Sequence, residues 1–233
     1  MSVRVLFIFA LPALAAFAVV VVLGALIWWP LAILAVPAAF ATVWWFQRSA
    51  DQAVLRRLHT RPVAEREGER ITRIVERLSL SSGVTQPDIR VIEDSAVNLA
   101  TVSGRTNTLV ATTGLLTTLN SLEMEGAVAH ALSKIESGFG VYDTLVASVP
   151  WAVPEAIRKV VRSWDNAGDG VVQFDLRGVS LTRYPPGLRS ALQRIEDTRT
   201  DVSGGENLGA SWLVPPLADR IPVEHRVEVL GEL

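Results

Sequence analysis

The apolar positions of this chain are spread unevenly. From Val5 to Gln47 no residue carries a charge. As one helix that run would extend about 65 Å at 1.5 Å per residue. A bilayer's hydrocarbon core is about 30 Å thick, so two crossings fit and one does not. Trp28-Trp29-Pro30 marks the break, because proline interrupts the helical ladder and paired tryptophans suit the membrane–water interface. The pattern predicts a transmembrane hairpin with helices near residues 4–27 and 31–47. Pro12 and Pro37 fall inside them, which membrane helices tolerate. The run exceeds a signal-peptide core and a second apolar segment follows, so it reads as a retained anchor. A buried soluble hairpin would show a polar face, and this one shows none. Arg4 precedes the hairpin, Arg48, Arg56, Arg57 and Arg61 follow it, and its turn has no Lys or Arg. The positive-inside rule then puts the N-terminus and everything after Gln47 in the cytoplasm. The expected location is an inner or plasma membrane, multi-pass, with the lipid bilayer as a partner.

Beyond the hairpin the period changes. Residues 49–82 read as a juxtamembrane helical stem divided at Pro62, in which Ile71, Ile74, Val75 and Leu78 recur at helical spacing before Ser81-Ser82-Gly83. Its arginines are read as a solvated face near anionic headgroups. Ile89–Ile92, Val97–Val102 and Thr108–Thr112 predict three short strands, with a turn at Gly104. Their small sheet would have exposed edges, and an exposed edge can accept an extended peptide. Ser121 is the expected N-cap of a helix from Leu122 to Glu136, with Glu123 and Glu125 in its first turns. Gly138 to Ile157 reads as a packed or membrane-surface helix. Asp165-Asn166-Ala167-Gly168-Asp169-Gly170 has a calcium-loop look, but Ala stands at the third position and Leu176 where the closing Glu belongs; a turn is expected. The fold class is α+β: the transmembrane hairpin of residues 1–48, the stem of 49–82, and a mostly helical domain of 83–233 carrying a three-stranded sheet.

Composition narrows the chemistry. The 233 residues are 49% hydrophobic with a formal net charge of −2, which speaks against a nucleic-acid partner. Cysteine is absent, so disulfide scaffolds, thiolate metal sites and cysteine nucleophiles are excluded. His59, His130 and His225 are the three histidines, too few for an all-imidazole metal site elsewhere.

His130 stands in Met124-Glu125-Gly126-Ala127-Val128-Ala129-His130-Ala131-Leu132-Ser133-Lys134. In zinc peptidases, H-E-x-x-H sets two imidazoles one turn apart to grip Zn²⁺, and the Glu activates its water. Here the motif reads His130, Ala131, Lys134. Val110–Leu116 and Leu122–His130, together with Asn98-Leu99-Ala100-Thr101, Val179–Leu188, Trp212–Leu217 and Pro222–Val227, resemble in order the HtpX-like and CAAX-prenyl-protease-like membrane metallopeptidases, a gluzincin family. The resemblance covers about residues 65–233. It implies that Asn98, Leu99, Ala100 and Thr101 form the strand beside the substrate cleft. It also implies that a third zinc ligand, normally Glu, falls on Gln173, and that the family's terminal His-Pro-Pro falls on Arg220-Ile221-Pro222.

The departures decide the expected activity. A catalytic zinc needs three protein ligands and an open position. An ammonium at Lys134 about 4 Å from a divalent ion costs on the order of 8 kcal/mol at an effective dielectric near 20, against about 10–16 kcal/mol gained by a fully liganded structural zinc. Ala131 cannot move a proton. The expectation is a pseudopeptidase with no cofactor, in which His130, Lys134 and Gln173 are a vestigial metal set and Ala131 a vestigial catalytic position. Lys134 would either act as a built-in cation paired with Asp175 or Glu136, or point to solvent with no role. Such a protein would bind a peptide or membrane-protein segment on the Asn98–Thr101 strand, or regulate an active paralogue in membrane-protein quality control. The alternative is an active Zn²⁺ endopeptidase with unorthodox ligands such as Asp143, Asp175 or His225. A third, plainer reading is a membrane-anchored structural subunit.

Overall fold

The computed structural model describes residues 17–19, 22, 35–148, 167–215 and 222–233. The first expected membrane helix and the turn after it therefore lie almost wholly outside the described residues. The chain divides into two compact units, Met1–Ala50 with Val149–Trp164, and Asp51–Ser148 with Asp165–Leu233. The second unit carries the sheet and its helices.

The second apolar segment is helical from Ala35, but the helix does not stop at Gln47. Helix α1 continues to Arg57. Nothing between Gln47 and Arg57 breaks it: the segment holds no Pro or Gly and ends in Arg56 and Arg57, which suit a helix C-terminus. Phe40, Trp44 and Trp45 are exposed on α1, and the Arg48 guanidinium lies 5.1 Å from the Trp44 ring. Among the described residues no helix is long and apolar enough to cross a membrane.

Pro62, expected only to divide the stem, lies in a fourth strand. Strand β1 (Arg61–Pro62) precedes helix α2 (Glu65–Ser82) and pairs antiparallel with β2 (Asp88–Ile92). A proline is tolerated there because β1 is an edge. Helix α2 ends at Gly83, whose φ of 70° is the left-handed cap geometry. β2 runs parallel to β4 (Asn107–Thr112), and β3 (Leu99–Ser103) pairs antiparallel with β4, giving the order β1-β2-β4-β3. Every residue of β3 is buried, as expected for a strand covered on both faces. Leu99, Leu109 and Ala111 join the main core with Val75, Leu78, Val128 and Leu132. Ala100, Val102 and Val110 face a second cluster with Val54, Leu58, Leu208 and Trp212.

Short helix α3 (Thr113–Thr118) follows, capped by the Thr112 hydroxyl, which accepts from Leu115 N at 3.1 Å. Helix α4 (Ser121–Glu136) is the centre of the unit. Its N-cap is Asn120 rather than Ser121, because Asn120 and Glu123 close a reciprocal box: Asn120 Oδ1 accepts from Glu123 N at 3.0 Å and Glu123 Oε2 from Asn120 N at 2.9 Å. The same carboxylate accepts from Ser190 Oγ at 2.8 Å and Arg194 Nε at 3.0 Å, which ties this terminus to the helix that carries those two residues. Helix α5 (Phe139–Ser148) begins the apolar stretch after α4; the rest of that stretch to Ile157 lies outside the described residues. Residues 167–170, expected as part of a turn, open helix α6 (Ala167–Thr182) instead. The turn was what remained once the calcium-loop pattern failed, whereas α6 packs against α4 with Val171, Phe174, Asp175 and Val179 buried, and that burial carries the helix through its glycines. Helix α7 (Pro185–Glu196), a 3-10 helix (Glu206–Ser211) and helix α8 (Val223–Gly231) complete the unit.

Candidate functional site

The site is built where α4 and α6 touch. Gly178 makes the contact close: a Cβ there would stand 2.8 Å from His130 N. Gly126 does the same one layer away, where a Cβ would come within 2.5 Å of Leu188 N on α7. Small residues let the helix axes approach, so that short side chains can reach across. The Ser133 hydroxyl reaches the Phe174 carbonyl at 2.9 Å and the His130 carbonyl at 2.7 Å, sharing its proton between them.

His130, Ala131 and Lys134 are all buried on α4. Asp175 Oδ1 accepts from His130 Nδ1 at 2.7 Å. Because a carboxylate only accepts, Nδ1 carries the ring proton. Asp175 is itself gripped by Arg226 from α8: Arg226 Nε donates to Oδ2 and Nη2 to Oδ1, both at 2.7 Å. Arg226 Nη1 donates to the Leu213 carbonyl at 2.7 Å. This forked pairing is the strong form of an arginine–carboxylate contact, and both side chains are at least 98% buried.

Burial alone would raise the Asp175 pKa, but the Arg226 charge and its hydrogen bonds overcome it and hold the carboxyl at about 2. Burial pushes His130 down, the Asp175 carboxylate pulls it back, and the Arg226 and Lys134 charges push it down again; the net direction is down. His130 is therefore neutral and Asp175 ionised at neutral pH. The pair is asymmetric because burial, the largest effect on His130, opposes a second ring proton, and the Arg226 and Lys134 charges add to it.

Lys134 does not pair with the carboxylates suggested for it. Both Asp175 oxygens go to Arg226 and His130, and Glu136 is exposed at the end of α4. Lys134 Nζ instead lies 6.0 Å from the rings of both Phe139 and Phe174, within cation–π range. Gln173 is exposed, off the face of α6 that meets His130. That face carries Val171, Asp175 and Gly178 at helical spacing, all buried. His225 is exposed too, and the Asp143 side chain lies outside the described residues.

The donor set among the described residues does not fit a divalent metal. One neutral imidazole stands, among the described residues, beside an arginine-neutralised carboxylate and a lysine. Among the described residues no group of three or more His, Asp or Glu side chains could hold a metal ion. What remains is an imidazole oriented from behind by a carboxylate, the arrangement metal sites use to aim a histidine.

Asn98, which the resemblance implies lies beside a cleft, is saturated. Its Oδ1 accepts from Leu99 N and Val214 N at 3.0 and 3.2 Å, and its Nδ2 donates to Thr200 O and Val214 O at 3.1 and 2.8 Å. The edge of β3, expected to be open, is covered: Leu213 N donates to Leu99 O at 2.7 Å, Ala100 bridges antiparallel to Trp212, and Ser103 N donates to Thr144 Oγ1 at 2.8 Å. The sheet reading saw three strands and not the distant segment that closes the third.

Sequence reasoning missed Arg226. Its signal was present, since Val223 and Leu230 flank it at spacings of three and four. An arginine on the apolar stripe of a helix demands a buried carboxylate.

The chain is similar to the Protease HtpX homolog of Pyrococcus furiosus, 34% identical over 242 residues that take in 82% of this chain and 81% of that one. It is 25% identical over 237 residues to the Protease HtpX homolog of Dictyoglomus thermophilum, covering 79% and 77% of the two chains. Its identity to that of Tropheryma whipplei is 26% over 252 residues, covering 86% and 84%. No family model matches the chain.

Proposed function

The chain belongs to the HtpX protease family, and on that premise we propose that it is a membrane-anchored pseudopeptidase: it keeps the family's framework and binds polypeptide without cutting it. The observation that carries the reading is the buried run His130-Ala131-Leu132-Ser133-Lys134, in which a methyl group and an ammonium stand where a proton-moving carboxylate and a second imidazole belong. The His130–Asp175 pair supports descent from a metal site, since the orienting contact persists while the other ligands do not. Lys134, whose ammonium lies 6.0 Å from both the Phe139 and Phe174 rings, would supply a fixed positive charge in place of the lost ion. The exposed Phe40, Trp44 and Trp45 on α1, with Arg48 beside Trp44, support contact with a bilayer interface. The ligand would be a peptide or membrane-protein segment, and regulation of an active paralogue in membrane-protein quality control is the cellular role this reading favours.

Metal analysis of the full chain purified in detergent, paired with a peptide-hydrolysis assay, tests it. The expected result is substoichiometric zinc and no chelator-sensitive hydrolysis. Stoichiometric zinc that disappears in His130→Ala, together with hydrolysis that chelators abolish, would overturn it.

A further inference from the structure

The edge of β3 that faces away from β4 is filled by the protein's own chain. Trp212, Leu213 and Val214 are all buried. They lie along the edge through the Leu213 N–Leu99 O bond, the Ala100–Trp212 bridge and the two-way clasp of Val214 by Asn98. Trp212 Nε1 donates to Gly205 O at 3.0 Å, and the Leu213 carbonyl is held by Arg226, which also grips Asp175. We infer that Trp212–Val214 is a self-ligand: a strap that occupies the peptide-accepting edge and with which an extended apolar segment of a partner polypeptide exchanges. The inference rests on the polypeptide-binding reading above and adds how that binding is held in check.

The strap is a short competitor. β3 pairs with β4 along all five of its residues, whereas the strap meets it at a single antiparallel bridge and its neighbouring bonds. A five-residue strand could pair along the whole of Leu99–Ser103, displacing the Thr144 hydroxyl from Ser103 N as well. The incoming strand thus gains backbone hydrogen bonds that the strap cannot make. The strap is entered from a kink at Gly209, with φ 40° and ψ −115°, and left at Pro215. Glycine adopts that φ readily, and proline cannot donate to a continuing ladder. Both limit the length of the self-pairing. The strap's side chains define the ligand class: Trp212 enters the cluster of Val54, Leu58 and Leu208, while Leu213 and Val214 enter the main core. A replacement must therefore be apolar on both faces, as a segment drawn from a membrane protein is. Covering the edge also prevents the uncontrolled strand addition that an open edge invites.

The absence of native cysteine makes a clean lock possible. Ala100→Cys with Trp212→Cys places two thiols directly across an antiparallel bridge, within the span a disulfide needs. The probe is a fluorescein-labelled peptide with the sequence of residues 208–216, added to the full chain in detergent and followed by anisotropy. The reduced variant, whose strap has lost its indole anchor, is expected to bind about tenfold more tightly than the oxidised variant, the worth of one or two backbone hydrogen bonds. Equal affinity in the two states, including no binding in either, would overturn the inference. Hydrogen exchange on the unmodified chain is the second measurement, should the double variant not fold. The Leu213 amide is expected to exchange by a local opening, faster than the Leu109 amide of β4; exchange of both only through global unfolding would overturn it. Neither measurement reads zinc or hydrolysis, so a strap that fails to exchange leaves the pseudopeptidase reading standing. Zinc-dependent cleavage would strike that reading alone.

Discussion

Replacing Asp175 by Asn keeps the shape of the side chain and removes its charge. In the folded protein that charge accepts two hydrogen bonds from Arg226 and one from His130, all at 2.7 Å, in a place from which water is excluded. The variant leaves the Arg226 guanidinium buried without a counter-charge, a loss of about 3–5 kcal/mol for a broken buried pair. For a chain of this length each kcal/mol corresponds to about 2–4 °C, so melting should fall by about 6–20 °C. The pH profile adds a second signature. The Asp175 pKa falls from 3.8 to about 2 on folding, so the unfolded chain binds its proton first as pH drops. The linked stability, about 2 kcal/mol, is fully present above pH 3.8 and lost as pH falls through about 2. Wild type and variant should converge over that window. Thermal melting of the detergent-solubilised full chain between pH 2 and 8 measures both effects. A pair of apolar replacements, Asp175→Leu with Arg226→Met, should recover much of what Asp175→Asn loses, because no charge is then left buried. A fall of less than about 3 °C, or a double variant as unstable as the sum of its parts, would refute the reasoning that this forked pair pins α6 to α8.

Lys134→Ala should cost about 1–2 kcal/mol through the lost contact with Phe139 and Phe174, read as a lowered melting temperature; no change would mean that the ammonium is not a substitute cation. Gly178→Val should destabilise by at least about 2 kcal/mol, because its Cβ meets the backbone at His130 rather than a yielding side chain, and urea denaturation checks this. His130 is held neutral by burial, so the unfolded state takes up a proton that the folded state refuses. Stability should therefore decline as pH falls below about 6.5, and His130→Gln should flatten that limb. Glu123→Gln should cost about 1–2 kcal/mol by weakening the α4 cap and its ties to Ser190 and Arg194, seen as faster exchange of the first amides of α4.

The sequence by itself determined whatever depends on neighbours along the chain. Helical spacing of Ile71, Ile74, Val75 and Leu78, closed by Gly83, placed α2. Alternation and breakers located β2, β3 and β4 to within one or two residues. The residues at 130, 131 and 134 excluded an ordinary H-E-x-x-H site, because ligand chemistry and one-turn spacing are properties of the letters themselves. Tertiary structure alone decided which distant groups meet. Asp175 and Arg226 are 51 residues apart, and Asn98 and Val214 are 116 apart. Local pattern carries no information about such pairs, since they are selected by how helices pack at Gly126 and Gly178 and by which buried charge must be neutralised. The closure of β3 by Trp212–Val214 belongs to the same class. A strand's period reveals which faces are buried, but an edge is open or occupied only once the whole chain has been wound around it.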